Sequence, residues 1–293
     1  MSCKCQENFC ICADEGLIHF ISIVPELNLK IKSVLLNFKD KVESKENINT
    51  IYSKNCKRFF EKNYDFFKEK FTQFEQDEIK VFIENDKYRL NLSTILKAKP
   101  LSIYLNYIDD RSFFDILENE ALTTHFQPII DLNNDSIFAY EALTRGVFPD
   151  GSLMSPGELF YKSTRNDTNF KLDRLCRESA LKTSAVKKIN TKVFINFLPT
   201  SIYDPKFCLE ATVKWAKQLD HDPKNIVFEV VETEKVEDKE HLKVILNYYR
   251  EQGFLIALDD VGEGYSSLNM LVDLKPDIIK VDRNIIDSIH KDT

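Results

Sequence analysis

The sequence predicts an α/β fold: a barrel-like parallel sheet preceded by a small α+β region. Three observations carry that prediction. Short apolar runs recur through the second part of the chain, amphipathic segments separate several of them, and polar residues sit at the ends of the runs. The texture also changes near residue 110. The first part is rich in Lys, Glu and Phe with Gly16 as its only glycine, and the second part holds the remaining glycines. A chain of 293 residues has room for one large domain beside a smaller one. The expected division is a Cys-rich tail over 1–13, a small α+β region over 14–109 and a large α/β domain over 110–293.

The tail carries Cys3, Cys5, Cys10 and Cys12 as C-x-C-x4-C-x-C. Four thiolates suit a tetrahedral zinc ion or a redox role, but the C-x-C spacing is tighter than the usual knuckle and the position is terminal. An unstructured tail is the competing reading. The apolar stretch from Leu17 to Val24 is too short to span a bilayer and contains His19 and Ser22. The first ten residues show no basic segment followed by an apolar one, so a cytoplasmic chain with reduced thiols is expected.

Phe60, Tyr64, Phe67, Phe71 and Phe74 recur at steps of four and three, which predicts one helix with an aromatic stripe. The pattern lasts barely two heptads, favouring packing on a neighbouring element over a dimeric coiled coil. Ile79, Val81 and Ile83 alternate with polar residues, Asn85-Asp86 offers a turn, and Tyr88, Leu90 and Leu92 alternate again. That reads as a hairpin, with Leu101 to Ile108 as a third strand.

In the second part the strand candidates are Phe126–Asp131, Phe138–Thr144, Val193–Phe197, Ile226–Val231, Leu255–Asp259 and Ile278–Val281. Leu172, Leu175, Cys176 and Ala180 share one helical face, as do Leu242, Ile245, Leu246 and Tyr249. Ser155-Pro156-Gly157-Glu158 reads as a helix start: a capping Ser, Pro at the first helical position and Glu placed to close a capping box. Apolar strands alternating with such helices imply a parallel sheet covered on its outer face.

Glu141, Asn196, Glu229, Asp259, Asp260 and Lys280 fall at or near the ends of successive strand candidates. In an α/β barrel those ends converge on one rim, where catalytic groups gather. Several carboxylates at corresponding positions are hard to explain as structural, because unpaired buried charge is costly. The cluster is oxygen-rich without His or Cys, so it favours Mg2+ or Mn2+ over zinc. Two such ions about 3.5–4 Å apart, bridged by one of the Asp259-Asp260 pair, would activate a water and neutralise phosphate oxygens. Lys280 suits a point charge that orients the water or stabilises the transition state.

Ordered motifs extend that pattern. Phe126-Gln127-Pro128-Ile129, Glu141-Ala142-Leu143-Thr144-Arg145, Asn196, Glu229-Val230-Val231-Glu232, Asp259-Asp260-Val261-Gly262-Glu263-Gly264-Tyr265-Ser266-Ser267-Leu268 and Lys280-Val281-Asp282-Arg283 resemble the EAL-domain phosphodiesterases, over Leu122 to Thr293. The resemblance implies a (β/α)8 barrel of EAL type and the opening of cyclic di-GMP to linear pGpG in bacterial signalling. It implies that Glu141, Asn196, Glu229 and Asp259 ligate one metal ion, that Asp259 and Asp260 serve a second, and that Lys280 is the catalytic lysine beside Glu141 and Asp260. Gln127, Leu143 and Arg145 would contact the guanine and phosphate portions, and two chains would pair through the EAL domain.

Some positions depart from the family. Val231 stands where a Thr is usual, Val261 where an aromatic is usual, and Glu263 where a small residue is usual. Family members continue with two more strands, one bearing a Glu and one a Gln. The expectation is therefore an incomplete barrel of about six strands, C-terminally truncated. Two functional readings stay open: a metal-dependent hydrolase, or a catalytically inactive module that binds the dinucleotide or a protein partner. A net charge of -7 gives no electrostatic case for duplex nucleic acid.

Overall fold

The computed structural model describes residues 11, 15–38, 42–85, 89, 91–231, 239–262 and 267–288. Cys3, Cys5, Cys10, Cys12, Glu232 and Glu263 lie outside these residues. The chain divides into two compact units, with the boundary between Phe114 and Asp115. No helix among the described residues is long and apolar enough to cross a membrane.

In the first unit, β1 (Gly16–Ile21) leads through α1 (Pro25–Leu35) to the hairpin β2 (Val42–Lys45) and β3 (Ile48–Ser53). Three short helices follow, α2 (Cys56–Lys62), α3 (Tyr64–Lys70) and α4 (Gln73–Glu78), and then β4 (Lys80–Glu84). The sheet runs β2-β3-β1-β4 with antiparallel pairing throughout, a split βαββαβ arrangement. Beyond it come α5 (Leu92–Ile95), β5 (Lys99–Pro100) on the far side of β4, α6 (Leu101–Asp109) and α7 (Arg111–Glu118), which crosses the unit boundary.

Three expectations for this unit change. The aromatic stripe is split at Asn63, which ends α2 and opens α3; Phe60, Phe67 and Phe71 are buried, while Phe74 sits on α4 at 74% exposure. Of the hairpin expected after β4, Asp86, Tyr88 and Leu90 lie outside the described residues; Leu92 begins a helix instead of extending a strand, and β4 pairs with β1 and β5. Leu101 to Ile108 is helical. Ser102, Asn106 and their apolar neighbours are buried together, so this run lacks the polar face that distinguishes a helix from a strand.

The second unit is built on a seven-stranded sheet. Its strands are β6 (Leu122–Asp131), β7 (Ser136–Val147), β8 (Leu153–Met154), β9 (Lys192–Asn196), β10 (Ile226–Val231), β11 (Leu255–Val261) and β12 (Ile278–Val281). Between and after them lie α8 (Pro156–Arg165), α9 (Asn169–Val186), α10 (Pro205–Cys208), α11 (Glu210–Gln218), α12 (Lys239–Glu251), α13 (Ser267–Leu274) and α14 (Arg283–Ser288). The order is β12-β11-β10-β9-β7-β6, with β8 against β7. From β7 to β12 the pairing is parallel. The β6–β7 pair is antiparallel, contrary to the uniform βα repeat expected from sequence. The link from Asp131 to Ser136 is a tight turn in which Asp131 accepts from Asn133 and Asn134, far too short for a crossover helix. Among the described residues the sheet path is open, with β6 and β12 at its ends.

The helix signals hold, except that no reciprocal bond from the Glu158 side chain closes the capping box of α8 among the described residues. Ser155 accepts the Glu158 N–H at the start of α8, with Pro156 at the first helical position. Leu172, Leu175, Cys176 and Ala180 of α9 are buried, as are Leu242, Ile245, Leu246 and Tyr249 of α12. The sheet has two apolar layers. Ala142, Val193, Ile195, Phe228, Val230, Ile256 and Leu258 join the helices in the larger core. Ala139, Phe194, Val227 and Ala257, with Ile129, Leu255 and Ile278 against them, form a smaller cluster of opposite parity.

Candidate active site

The smaller cluster positions the polar residues. Side chains two apart on a strand share a face. Two residues beyond Ala139, Phe194, Val227, Ala257 and Ile278 stand Glu141, Asn196, Glu229, Asp259 and Lys280. Each therefore rises one step above the same apolar layer. Parallel pairing staggers them along the strands: Asn196 is opposite Glu229, but Glu141 is opposite Phe194 and Asp259 is opposite Val231, so the long side chains meet across a climbing row. Glu141 lies inside β7, which runs on to Val147, rather than at its end.

Distance confirms the convergence for five of the residues expected there. The Lys280 ammonium is 2.7 Å from Glu229 Oε1, 2.8 Å from Asp259 Oδ2 and 3.4 Å from Glu141 Oε2. Asn196 Nδ2 donates to Glu141 Oε1 at 3.4 Å. Asp260 follows with its backbone in the left-handed region (φ 55°), and its N–H donates to Asp259 Oδ1 at 2.9 Å. This turn breaks the β11–β12 register between Leu258 and Val261. Gly262 (φ 109°) closes it, where a Cβ would lie 2.0 Å from Ile285 Cδ1.

Glu229 is the most constrained group: 0% exposed, with Oε2 lacking any hydrogen-bond partner among the described residues. Burial lifts its carboxyl to about 7 against the pull of Lys280, and Glu141 and Asp259 push the same way as burial. Burial acts to lower the Lys280 pKa, but Glu229, Asp259 and Glu141 outweigh it and hold the ammonium protonated well above the ordinary lysine range.

Gln127 sits across the β6–β7 ladder from Glu141, exposed on the same face. Leu143 and Arg145 continue that face along β7, each half-buried, and Arg145 Nη1 donates to the Thr144 carbonyl at 2.9 Å. Beside Leu143 and Asn196 a cavity of about 230 Å3 opens between β7, β9, α8 and α9, with Pro156, Phe160, Cys176 and Phe197 in its walls. Burial pushes the Cys176 thiol up to about 12, against a hydrogen bond from Thr144, so it is an inert wall.

The donor set of three carboxylates and one amide oxygen has the chemistry of a hard-cation site, and the orphaned Glu229 Oε2 is an acceptor awaiting a positive partner. Among the described residues, however, no three His, Cys, Asp or Glu side chains converge closely enough to hold an ion. Lys280 stands at their meeting point, so a cation joining Glu141, Glu229 and Asp259 requires the ammonium to yield part of its three-way contact. Sequence reasoning missed Asp173 and Arg177 behind Asn196. Their only signal was an Asp–Arg pair four apart beside the apolar stripe of α9.

Comparison with known proteins gives the same picture. The EAL domain family matches residues 110–293. The chain is 30% identical over 179 residues to the probable cyclic di-GMP phosphodiesterase PdeB of Escherichia coli K12, covering 60% of this chain and 34% of that protein. It thus spans about a third of the length of the curated relatives it matches. A standalone versatile EAL protein from Vibrio cholerae O395, solved in its c-di-GMP-bound form, is 40% identical with a TM-score of 0.51, covering 58% of this chain and 70% of that one. The FimX EAL domain from Pseudomonas aeruginosa, bound to c-di-GMP, shares the fold at 23% identity and a TM-score of 0.54, covering 64% of this chain and 74% of that one. With five of the motif side chains gathered above one apolar layer and the family match spanning most of its length, this chain belongs to the EAL domain family.

Proposed function

We propose that the chain hydrolyses cyclic di-GMP to linear pGpG, using Mg2+ or Mn2+ held by Glu141, Asn196, Glu229, Asp259 and Asp260. The observation that carries this reading is the meeting of Glu141, Glu229 and Asp259 at the Lys280 ammonium. Pairing one cation with three acids leaves net negative charge in a half-buried place, which favours divalent ions. Those ions would supply an activated water and charge neutralisation at the phosphate. Lys280 contributes a fixed positive charge to steady the pentacoordinate phosphate. Gln127, Leu143 and Arg145 line the same face as Glu141 and would orient the dinucleotide. The likeness to relatives named for cyclic di-GMP hydrolysis supports the choice of substrate.

One observation favours a second reading. Lys280 already takes the place where the acids meet, which suits a module that binds the dinucleotide without turnover. A single assay separates the two. The purified chain is incubated with cyclic di-GMP and Mn2+ or Mg2+, and pGpG is followed by chromatography, with Glu141→Ala in parallel. Product from the parent and none from the variant supports the hydrolase; tight binding without product overturns it in favour of the binding module.

A further inference from the structure

Behind Asn196 lies a buried ion pair that the proposed chemistry does not use. Asp173 and Arg177 sit one turn apart on α9 at 2% and 1% exposure. Asp173 Oδ1 accepts the Leu198 N–H at 2.8 Å, and Oδ2 accepts the Ser201 hydroxyl at 2.8 Å together with the Arg177 guanidinium. Arg177 Nε donates to Thr212 Oγ1 on α11 at 3.1 Å. Leu198 and Ser201 belong to the turn that leaves β9 directly after Asn196. The same turn is held from other sides: the Phe197 N–H donates to the Glu229 carbonyl at 3.4 Å, and His241 Nε2 bonds the Ile202 carbonyl.

We propose that Asp173 and Arg177 are positioning residues: the carboxylate fixes the turn after β9, and with it the aim of Asn196, while Arg177 balances that carboxylate and ties it to α11. The inference rests on the hydrolase reading only in giving Asn196 a ligand's role. Its physical basis is separate. A buried ion pair is weak evidence of stability, since apolar residues of similar volume often serve as well. Here both carboxylate oxygens reach donors of one short turn beside the site. An apolar residue at 173 would fill the space, leave the Leu198 N–H without this acceptor and leave the Ser201 hydroxyl only the Leu198 carbonyl, at 2.7 Å. What the pair adds is geometry.

The test compares the full chain with Asp173→Asn and with the double variant Asp173→Leu, Arg177→Leu, by three readouts: amide exchange at Leu198, Mn2+ affinity by calorimetry and the unfolding midpoint. Both variants are expected to raise exchange at Leu198 about tenfold or more and to weaken Mn2+ binding roughly 10- to 100-fold, the range for residues that support metal ligands. The double variant should unfold at a somewhat lower midpoint, since the Leu198 N–H loses its acceptor, but not below Asp173→Asn, which leaves Arg177 buried without its counter-charge. Parental Mn2+ affinity in the double variant, or unchanged exchange at Leu198, overturns the proposal. If the double variant does not fold, Asp173→Asn decides by the same readouts. If the parent itself takes up no Mn2+, the metal reading falls on that result alone, and exchange at Leu198 still decides the positioning claim. Arg177→Lys, which keeps the charge, should preserve protection at Leu198; its loss there overturns the role given to Arg177.

Discussion

Two clusters of buried polar groups, one in each unit, are partnered in opposite ways. In the first, His19 is 4% exposed, yet Nδ1 meets Thr50 Oγ1 at 2.9 Å and Nε2 meets Glu84 at 3.0 Å. Asn49 is buried too, held by Ser44 at 2.8 Å and by Asn28. In the second, Glu229 keeps an oxygen with no partner, and three carboxylates share one ammonium. Polar groups that are fully paired specify a fold. Groups held in conflict point to a site whose partner comes from outside the chain. That contrast separates a region whose buried polarity is structural from one whose buried polarity is chemical.

The largest effect expected from breaking the contrast is on turnover. Lys280→Gln should lower pGpG formation about 10²- to 10³-fold, the range for removing one donor that stabilises a transition state. Product assays with saturating Mn2+ check it, and a change below threefold would show that Lys280 is a spectator. Next comes stability. Lys280→Met strips three acids of their shared cation and should destabilise the second unit by about 3 kcal/mol, the low end for a broken buried pair because Lys280 is 25% exposed. Mn2+ should raise the Tm of this variant more than that of the parent, which thermal scans with and without the ion would reveal.

In the first unit the matching change is His19→Leu. It leaves Thr50 and Glu84 without their partner and should cost about 1–3 kcal/mol, with no response to Mn2+. The same residue gives a pH dependence. Burial holds the His19 imidazole below its usual 6.5 despite Glu84. The unfolded chain therefore takes up this proton before the folded one does. The contribution is intact above pH 6.5 and is lost as pH falls from there toward the lower folded value. Denaturant melts at pH 7.5 and 5.5 should show the loss, and His19→Gln should shrink it. Smallest is Thr72→Ala, which removes the capping box of α4 and should cost about 1 kcal/mol.

Legibility in the sequence followed the same divide. Val193 to Phe197, Ile226 to Val231 and Ile278 to Val281 were readable because each is a short apolar run between helices with a polar face. The gathering of Glu141, Asn196, Glu229, Asp259 and Lys280 was readable because polar residues recur at one offset from those runs. Less visible was the direction of β6, which depends on the Asp131–Ser136 turn rather than on strand pattern. Leu101 to Ile108 misled because burial on every side removes periodicity. The break at Asn63 turned one expected helix into two. Asp173 and Arg177 stayed hidden because an i,i+4 acid–base pair normally marks a solvated face, and only packing against α11 and the turn after β9 buries it.

Glu141, Glu229 and Asp259 are proposed to form a place for divalent cations. Titrating Mn2+ into the parent chain and into Glu229→Gln by calorimetry tests this most directly. Saturable uptake by the parent and its loss in the variant is the predicted result. Equal uptake by both, or none by the parent, would contradict it.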